Sequence, residues 1–130
     1  MARHMPYLID SDVLIDISRG NPAAREYVDG LHEGWAISQI SALELVVGAR
    51  DKRDLANIDA FLAGFVIVPI RSSIGARAYE LLKRYAKSQG LHVFDSLVAA
   101  TAMEEGLTLV TRNRRHFVAI TDLSLDVPTY

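Results

Sequence analysis

Short apolar runs alternate with segments of helical periodicity along almost the whole chain, and this alternation restricts the fold more than any other feature. Tyr7-Leu8-Ile9 reads as a buried strand ending at Asp10. Val13, Leu14 and Ile17 recur at helical spacing up to Gly20. Asn21-Pro22 supplies an N-cap and a first-turn proline, which predicts a helix through about Leu31. Trp35-Ala36-Ile37 reads as a second strand. Ser41 opens a helical pattern that stops at Gly48, and Leu55, Ile58, Phe61 and Leu62 form another closed by Gly64. Val66-Ile67-Val68-Pro69-Ile70 is β-branched and uninterrupted, which predicts a strand covered on both faces. Ile74, Ala78, Leu81, Leu82 and Tyr85 give a clean helical stripe ending at Gly90. Phe94 to Glu105 reads as a central helix rich in small residues, Leu107 to Thr111 as a strand, and Leu123 to Val127 as a weak one. Strands alternating with helices imply an α/β fold: right-handed crossovers and a mostly parallel sheet with helices on its faces. Ligands of such sheets bind at the carboxyl ends of the strands.

The chain has 130 residues, half of them hydrophobic and 23% charged, which predicts one globular domain over 1–130. Residues 1–4 read as a cloning scar, with Met5 as the native start. There are no cysteines, so disulfides, thiolate metal sites and a Cys nucleophile are excluded. No apolar stretch is long enough for a membrane helix and no signal-peptide core opens the sequence, which predicts a cytoplasmic protein with no membrane partner. The formal charge is −2, so nucleic acid must be held by a local patch.

Three acids stand among apolar residues. Asp10 follows the first strand, Glu44 lies within Ile40-Ser41-Ala42-Leu43-Glu44-Leu45-Val46-Val47, and Asp95 within Leu91-His92-Val93-Phe94-Asp95-Ser96-Leu97-Val98. Each has a capping alternative: Asp10 (or Asp12) before the first helix, Glu44 in a Ser41-x-x-Glu44 capping box, and Asp95 in a first helical turn. Together, from three segments, they fall on one predicted edge of the sheet. Two carboxylates about 4 Å apart repel by about 4 kcal/mol at an effective dielectric near 20. A hard divalent cation relieves that repulsion, oxygen donors select Mg²⁺ or Mn²⁺ over zinc, and phosphoryl chemistry is the natural use.

Asn113 ends the last strong strand and is a fourth candidate, through an amide that could bind a metal-bound water; an ordinary turn asparagine is the alternative. Arg112, Arg114 and Arg115 form the one dense basic cluster, a candidate phosphate contact beside the site or else a solvated turn. His116 reads as a surface side chain near the same edge, and His32 and His92 match no zinc-ligand spacing.

Four segments in order resemble the motifs of PIN-domain ribonucleases, specifically the VapC-type toxins of prokaryotic toxin–antitoxin modules: Leu8-Ile9-Asp10-Ser11-Asp12, Ile40-Ser41-Ala42-Leu43-Glu44 with Gly48, Asp95-Ser96-Leu97-Val98-Ala99-Ala100, and Leu109-Val110-Thr111-Arg112-Asn113 with His116-Phe117. The resemblance runs from Tyr7 to Phe117. It implies a three-layer α/β/α fold and Mg²⁺- or Mn²⁺-dependent endoribonuclease activity on structured RNA such as tRNA or ribosomal RNA, with Asp10, Glu44 and Asp95 as metal ligands. It also implies a VapB-type antitoxin partner and a homodimer, for which the apolar helices around Val46-Val47 and Leu55 to Leu62 offer a surface. Related chains commonly carry a fourth acid in the last motif, where this one has Asn113 and His116. Two other functions compete. Asp10-Ser11-Asp12 also resembles the nucleophile motif of haloacid-dehalogenase-type phosphatases, although no lysine follows Lys87 and Glu44 is left without a role. A non-catalytic binding module is the other.

Overall fold

The structure, a computed structural model, describes residues 6–31 and 33–130. The supposed scar at 1–4, Met5 and His32 lie outside them. Five strands form a parallel sheet: β1 (Tyr7–Ile9), β2 (Trp35–Ser38), β3 (Ile67–Val68), β4 (Thr108–Val110) and β5 (Leu125–Asp126), in the spatial order β3-β2-β1-β4-β5. The expected mostly parallel sheet is parallel at every pairing. In the central register Leu8 faces Ala36 on one side and Leu109 on the other, while Ile9 faces Ile37 and Val110.

The two-residue period of the strands sends alternate side chains to opposite faces. Leu8 and Leu109 enter a core with Ile74, Ala78, Leu81, Val98, Ala99, Ala102 and Phe117, built on α5 (Ser72–Gln89), α6 (Val93–Glu105) and α7 (Arg114–Phe117). Ile9, Ile37 and Val110 enter a second core with Val13, Leu14, Ala24, Val28, Leu45 and Leu62, built on α1 (Ser11–Ser18), α2 (Pro22–Asp29), α3 (Gln39–Val47) and α4 (Lys52–Leu62). Helices therefore cover both faces, giving the three-layer α/β/α arrangement. The small residues of α6 are fully buried, as expected of a helix packed close against its neighbours.

Two local expectations are corrected. The run from Val66 to Ile70 is not covered on both faces: β3 is two residues long at the sheet edge, pairs only with β2, and leaves Val66, Ile67 and Ile70 exposed. An edge strand satisfies one side of its ladder and needs only partial cover, so its β-branched run says nothing of its depth. The capping box at Ser41 is also absent. The N-cap of α3 is Ser38, whose Oγ accepts from the Ile40 N–H at 3.1 Å, and Ser41 lies inside the helix. By contrast Asn21 caps α2 as expected, accepting from the Ala23 and Ala24 N–H groups.

The chain runs from β1 outward through β2 and β3, then crosses over β1 to β4 and β5. The strand order thus reverses between β1 and β4, and the crevice beyond their carboxyl ends is where such sheets bind ligands.

Candidate active site

Asp10 is the first residue after β1, and its N–H donates to the Val110 carbonyl at 2.9 Å, fixing it at the switch point. Its side chain is 6% exposed. One oxygen accepts the Ser11 N–H at 2.7 Å, so Asp10 does cap α1; the other accepts the Thr111 hydroxyl at 2.9 Å. Capping and a place in the site are therefore the same geometry. Thr111 in turn accepts the Asn113 N–H at 3.0 Å. Asp12, in the first turn of α1, accepts the N–H groups of Val13 at 2.7 Å and of Arg112 at 3.0 Å.

Glu44 reaches the same region from α3, a helix that contributes Ile40 to one core and Leu45 to the other. Asp95 reaches it from the first turn of α6. Burial, then the charge of Asp12, with a smaller part from Glu44, pushes the Asp10 carboxyl up to about 7, against the Thr111 and Ser11 hydrogen bonds that pull it down. Burial also raises Glu44; a hydrogen bond from the Ser11 side chain opposes this, and the charges of Asp95 and Asp12 add to it. Asp12 is raised by burial, offset by its bonds to Val13, Arg112 and Thr111. The structure thus brings Asp10, Glu44 and Asp95 within electrostatic reach of one another in a chain, Asp10 to Glu44 and Glu44 to Asp95.

Among the described residues no group of three or more His, Asp or Glu side chains forms a ready-made metal site. The donors nonetheless fit a hard divalent ion in kind, being carboxylate oxygens that raise one another's affinity for protons. Asp10, Glu44 and Asp95 are the residues that would hold it.

On the far side, His116 is half-buried rather than a free surface side chain. Its Nδ1 lies 2.9 Å from Asp95 Oδ2 and 2.8 Å from Asn113 Nδ2. With the proton on Nδ1 it donates to Asp95; with the proton on Nε2, Nδ1 accepts from the Asn113 amide. The basic cluster divides. Arg112 Nη1 donates to Asp16 Oδ2 at 3.0 Å and its guanidinium stacks on the Tyr130 ring, 4.8 Å from the centroid. Arg114 and Arg115 are exposed on α7. A cleft of about 480 Å³ between α1, α3 and α4 is lined by Glu44 and by apolar (Ile15, Leu45, Phe61) and charged (Arg19, Arg50) side chains together. Sequence reasoning did not single out Thr111. Its signals are its place directly after β4, on the edge where ligands gather, and its membership of the last of the four resembling segments.

Among known proteins, the PIN domain family model matches residues 7–123. The chain is 39% identical to "Ribonuclease VapC10" of Mycobacterium tuberculosis over 85% of its own length and 84% of that protein. It is 27% identical to the "tRNA(fMet)-specific endonuclease VapC" of Shigella flexneri, over 87% and 90% of the two chains. A solved toxin–antitoxin complex from Klebsiella pneumoniae superposes with a TM-score of 0.79 at 29% identity, covering 94% of this chain and 97% of that one. These matches displace the phosphatase alternative. The buried Asp10 at the switch point of a three-layer sheet and the match along almost all of its length lead to one family: the chain belongs to the PIN-domain proteins, among the VapC ribonucleases.

Proposed function

We propose that this chain is the endoribonuclease toxin of a type II toxin–antitoxin module, acting in the cytoplasm on structured RNA such as tRNA or ribosomal RNA with Mg²⁺ or Mn²⁺. The observation that carries the reading is the buried Asp10 at the β1/β4 switch point, with Glu44 and Asp95 in electrostatic reach. A bound divalent ion there supplies an activated water and neutralises charge on the phosphodiester. The chain's part is to hold the donors. The Ser11 N–H and the Thr111 hydroxyl each fix one Asp10 oxygen and leave it further lone pairs. His116 steadies Asp95, and Asn113 presents its amide at the rim. Arg114 and Arg115, one turn away on α7, meet RNA phosphates.

A cognate VapB-type antitoxin fits the same reading. Its chain would enter the α1/α3/α4 cleft, which Glu44 lines, and an arginine there would meet the carboxylates. The exposed apolar residues Leu43, Val46, Val47 and Leu55 on α3 and α4 suit a homodimer. EDTA should abolish cleavage of bulk tRNA or ribosomal RNA and Mg²⁺ or Mn²⁺ restore it, while Asp10→Ala stays inactive with either ion. Undiminished cleavage in EDTA would overturn the mechanism, and a fully active Asp10→Ala would leave Asp10 as a helix cap alone.

A further inference from the structure

We propose that Arg112, Asp16 and Tyr130 form a clasp that positions the β4–α7 loop, so that Arg112 serves the cleavage site from behind instead of contacting RNA. The inference rests on the nuclease reading above and concerns how its site is held. Asp12 and Asp16 lie one turn apart on α1 and so share a face. Asp12 accepts the backbone N–H of Arg112, and Asp16 accepts its guanidinium at 3.0 Å. The same Asp16 oxygen accepts the Tyr130 hydroxyl at 2.8 Å, while the Tyr130 ring lies under the guanidinium. A second route closes on the same loop. The Tyr27 hydroxyl donates to the Asp126 carboxylate at 2.7 Å, the Asp126 carbonyl accepts the Thr111 N–H at 3.1 Å, and the Tyr27 and Tyr130 rings meet at 6.2 Å.

The held loop spans three residues, and both neighbours of Arg112 face the site. Thr111 donates to Asp10, and the Asn113 side chain meets His116, which meets Asp95. A half-exposed ion pair alone is worth little. Here it is joined to a ring face and a hydroxyl, so the guanidinium is fixed in direction as well as in charge. A guanidinium so engaged has its flat face and one edge occupied, whereas Arg114 and Arg115 make no ion pair with any described residue. Small displacements of a donor such as Thr111 carry large costs in rate, which gives the clasp its leverage.

The test compares R112A, R112K, D16N and Y130F with the R114A/R115A double variant, using cleavage of bulk tRNA across a salt series and amide hydrogen exchange of the metal-free proteins. R112A and D16N should each lower kcat on the order of tenfold, with KM and the salt dependence unchanged. The D16N/R112A double should be no worse than either single, since both break one unit. R112K should recover part of the loss. R114A/R115A should instead raise KM and flatten the salt dependence. The Arg112 and Asn113 amides, which donate to Asp12 and Thr111, should exchange several-fold faster in R112A and Y130F. A raised KM with a flatter salt slope in R112A would make Arg112 an RNA contact and overturn the clasp; so would additive losses in the double variant. If the parent does not cleave RNA, the nuclease reading fails on its own. The exchange rates still decide the clasp, and unchanged rates in both R112A and Y130F would overturn it.

Discussion

Asp10 determines how the site answers to protons. Its carboxyl titrates near 7 in the fold against 3.8 for the free side chain, so the folded state holds this proton more tightly than the unfolded chain does. Its contribution is therefore favourable below about pH 4 and is lost as the pH rises through 7, by an amount on the order of 4 kcal/mol. Metal-free melts should show stability falling across that window, with Asp10→Asn flattening the fall; a parent whose stability rises from pH 4 to 7 would contradict the assignment. A divalent ion competes with that proton, so the gain in melting temperature from Mg²⁺ should grow over the same window. Asp95 separates a shared site from carboxylates that act independently. The N-cap of α6 is His92, so the alternative for Asp95 is a first-turn charge on the helix dipole, and it predicts that Asp95→Asn costs a few tenths to about 1 kcal/mol and leaves cleavage intact. In a shared site the change removes repulsion from Glu44, leaving metal-free stability level or up to ~1 kcal/mol higher, while the Mg²⁺ effect on melting and the cleavage both disappear. Paired melts with and without Mg²⁺, run beside the cleavage assay, decide it. These acids were legible in sequence because a charge inside an apolar run demands a reason. Thr111 was not, because its tie to Asp10 spans 101 positions and a threonine after a strand is ordinary. Arg112 was grouped with Arg114 and Arg115 because charge counting ignores direction, and only the fold turns it toward Asp16.

At the scale of elements, α3 carries Glu44 and its start was misread. Ser38 and Ser41 lie three residues apart, either able to cap, and the glutamate after Ser41 favoured the wrong one. The strand β2 runs through Ser38, so the helix begins at once and Ser41 falls within it, its hydroxyl buried without a hydrogen-bond partner among the described residues. Ser38→Ala should cost about 1 kcal/mol as a lost cap. Ser41→Ala should be neutral or stabilising by up to about 1 kcal/mol, because it removes a buried polar group that gains nothing. Denaturant titration of both variants settles it, and the reverse ranking would restore the capping box. The other elements were readable where local chemistry and period agreed, as at Asn21-Pro22 and along the Ile74-to-Tyr85 stripe. β3 was readable as a strand but not as an edge, since β-branched residues favour extended backbone wherever it lies and the order of strands is a property of the whole sheet.

The whole molecule divides its labour between two sides. The carboxyl edge of the sheet gathers Asp10, Glu44 and Asp95, while α3 and α4 turn apolar side chains outward that neither core uses. Val47 is the extreme case at 84% exposed, on the last turn of α3, next to the exposed Val46 and near Leu43. A valine so placed contributes little to folding, and its replacement should change stability by no more than about 0.5 kcal/mol. Lysine is the better probe than aspartate, because a cation at a helix C-terminus complements the dipole and leaves the helix intact. In a homodimer formed through this face, Val47→Lys sets a charge into an apolar contact, and its desolvation opposes association without touching the monomer. Sedimentation at micromolar concentration should therefore give a dimer for the parent and a monomer for Val47→Lys, with melting temperatures of equal-mass samples diverging as concentration rises, since only the parent gains stability by association. A parent that sediments as a monomer removes the homodimer. A Val47→Lys protein that stays dimeric moves the interface off α3 and leaves this face to the antitoxin, whose binding to the variant the same experiment then measures by adding the partner.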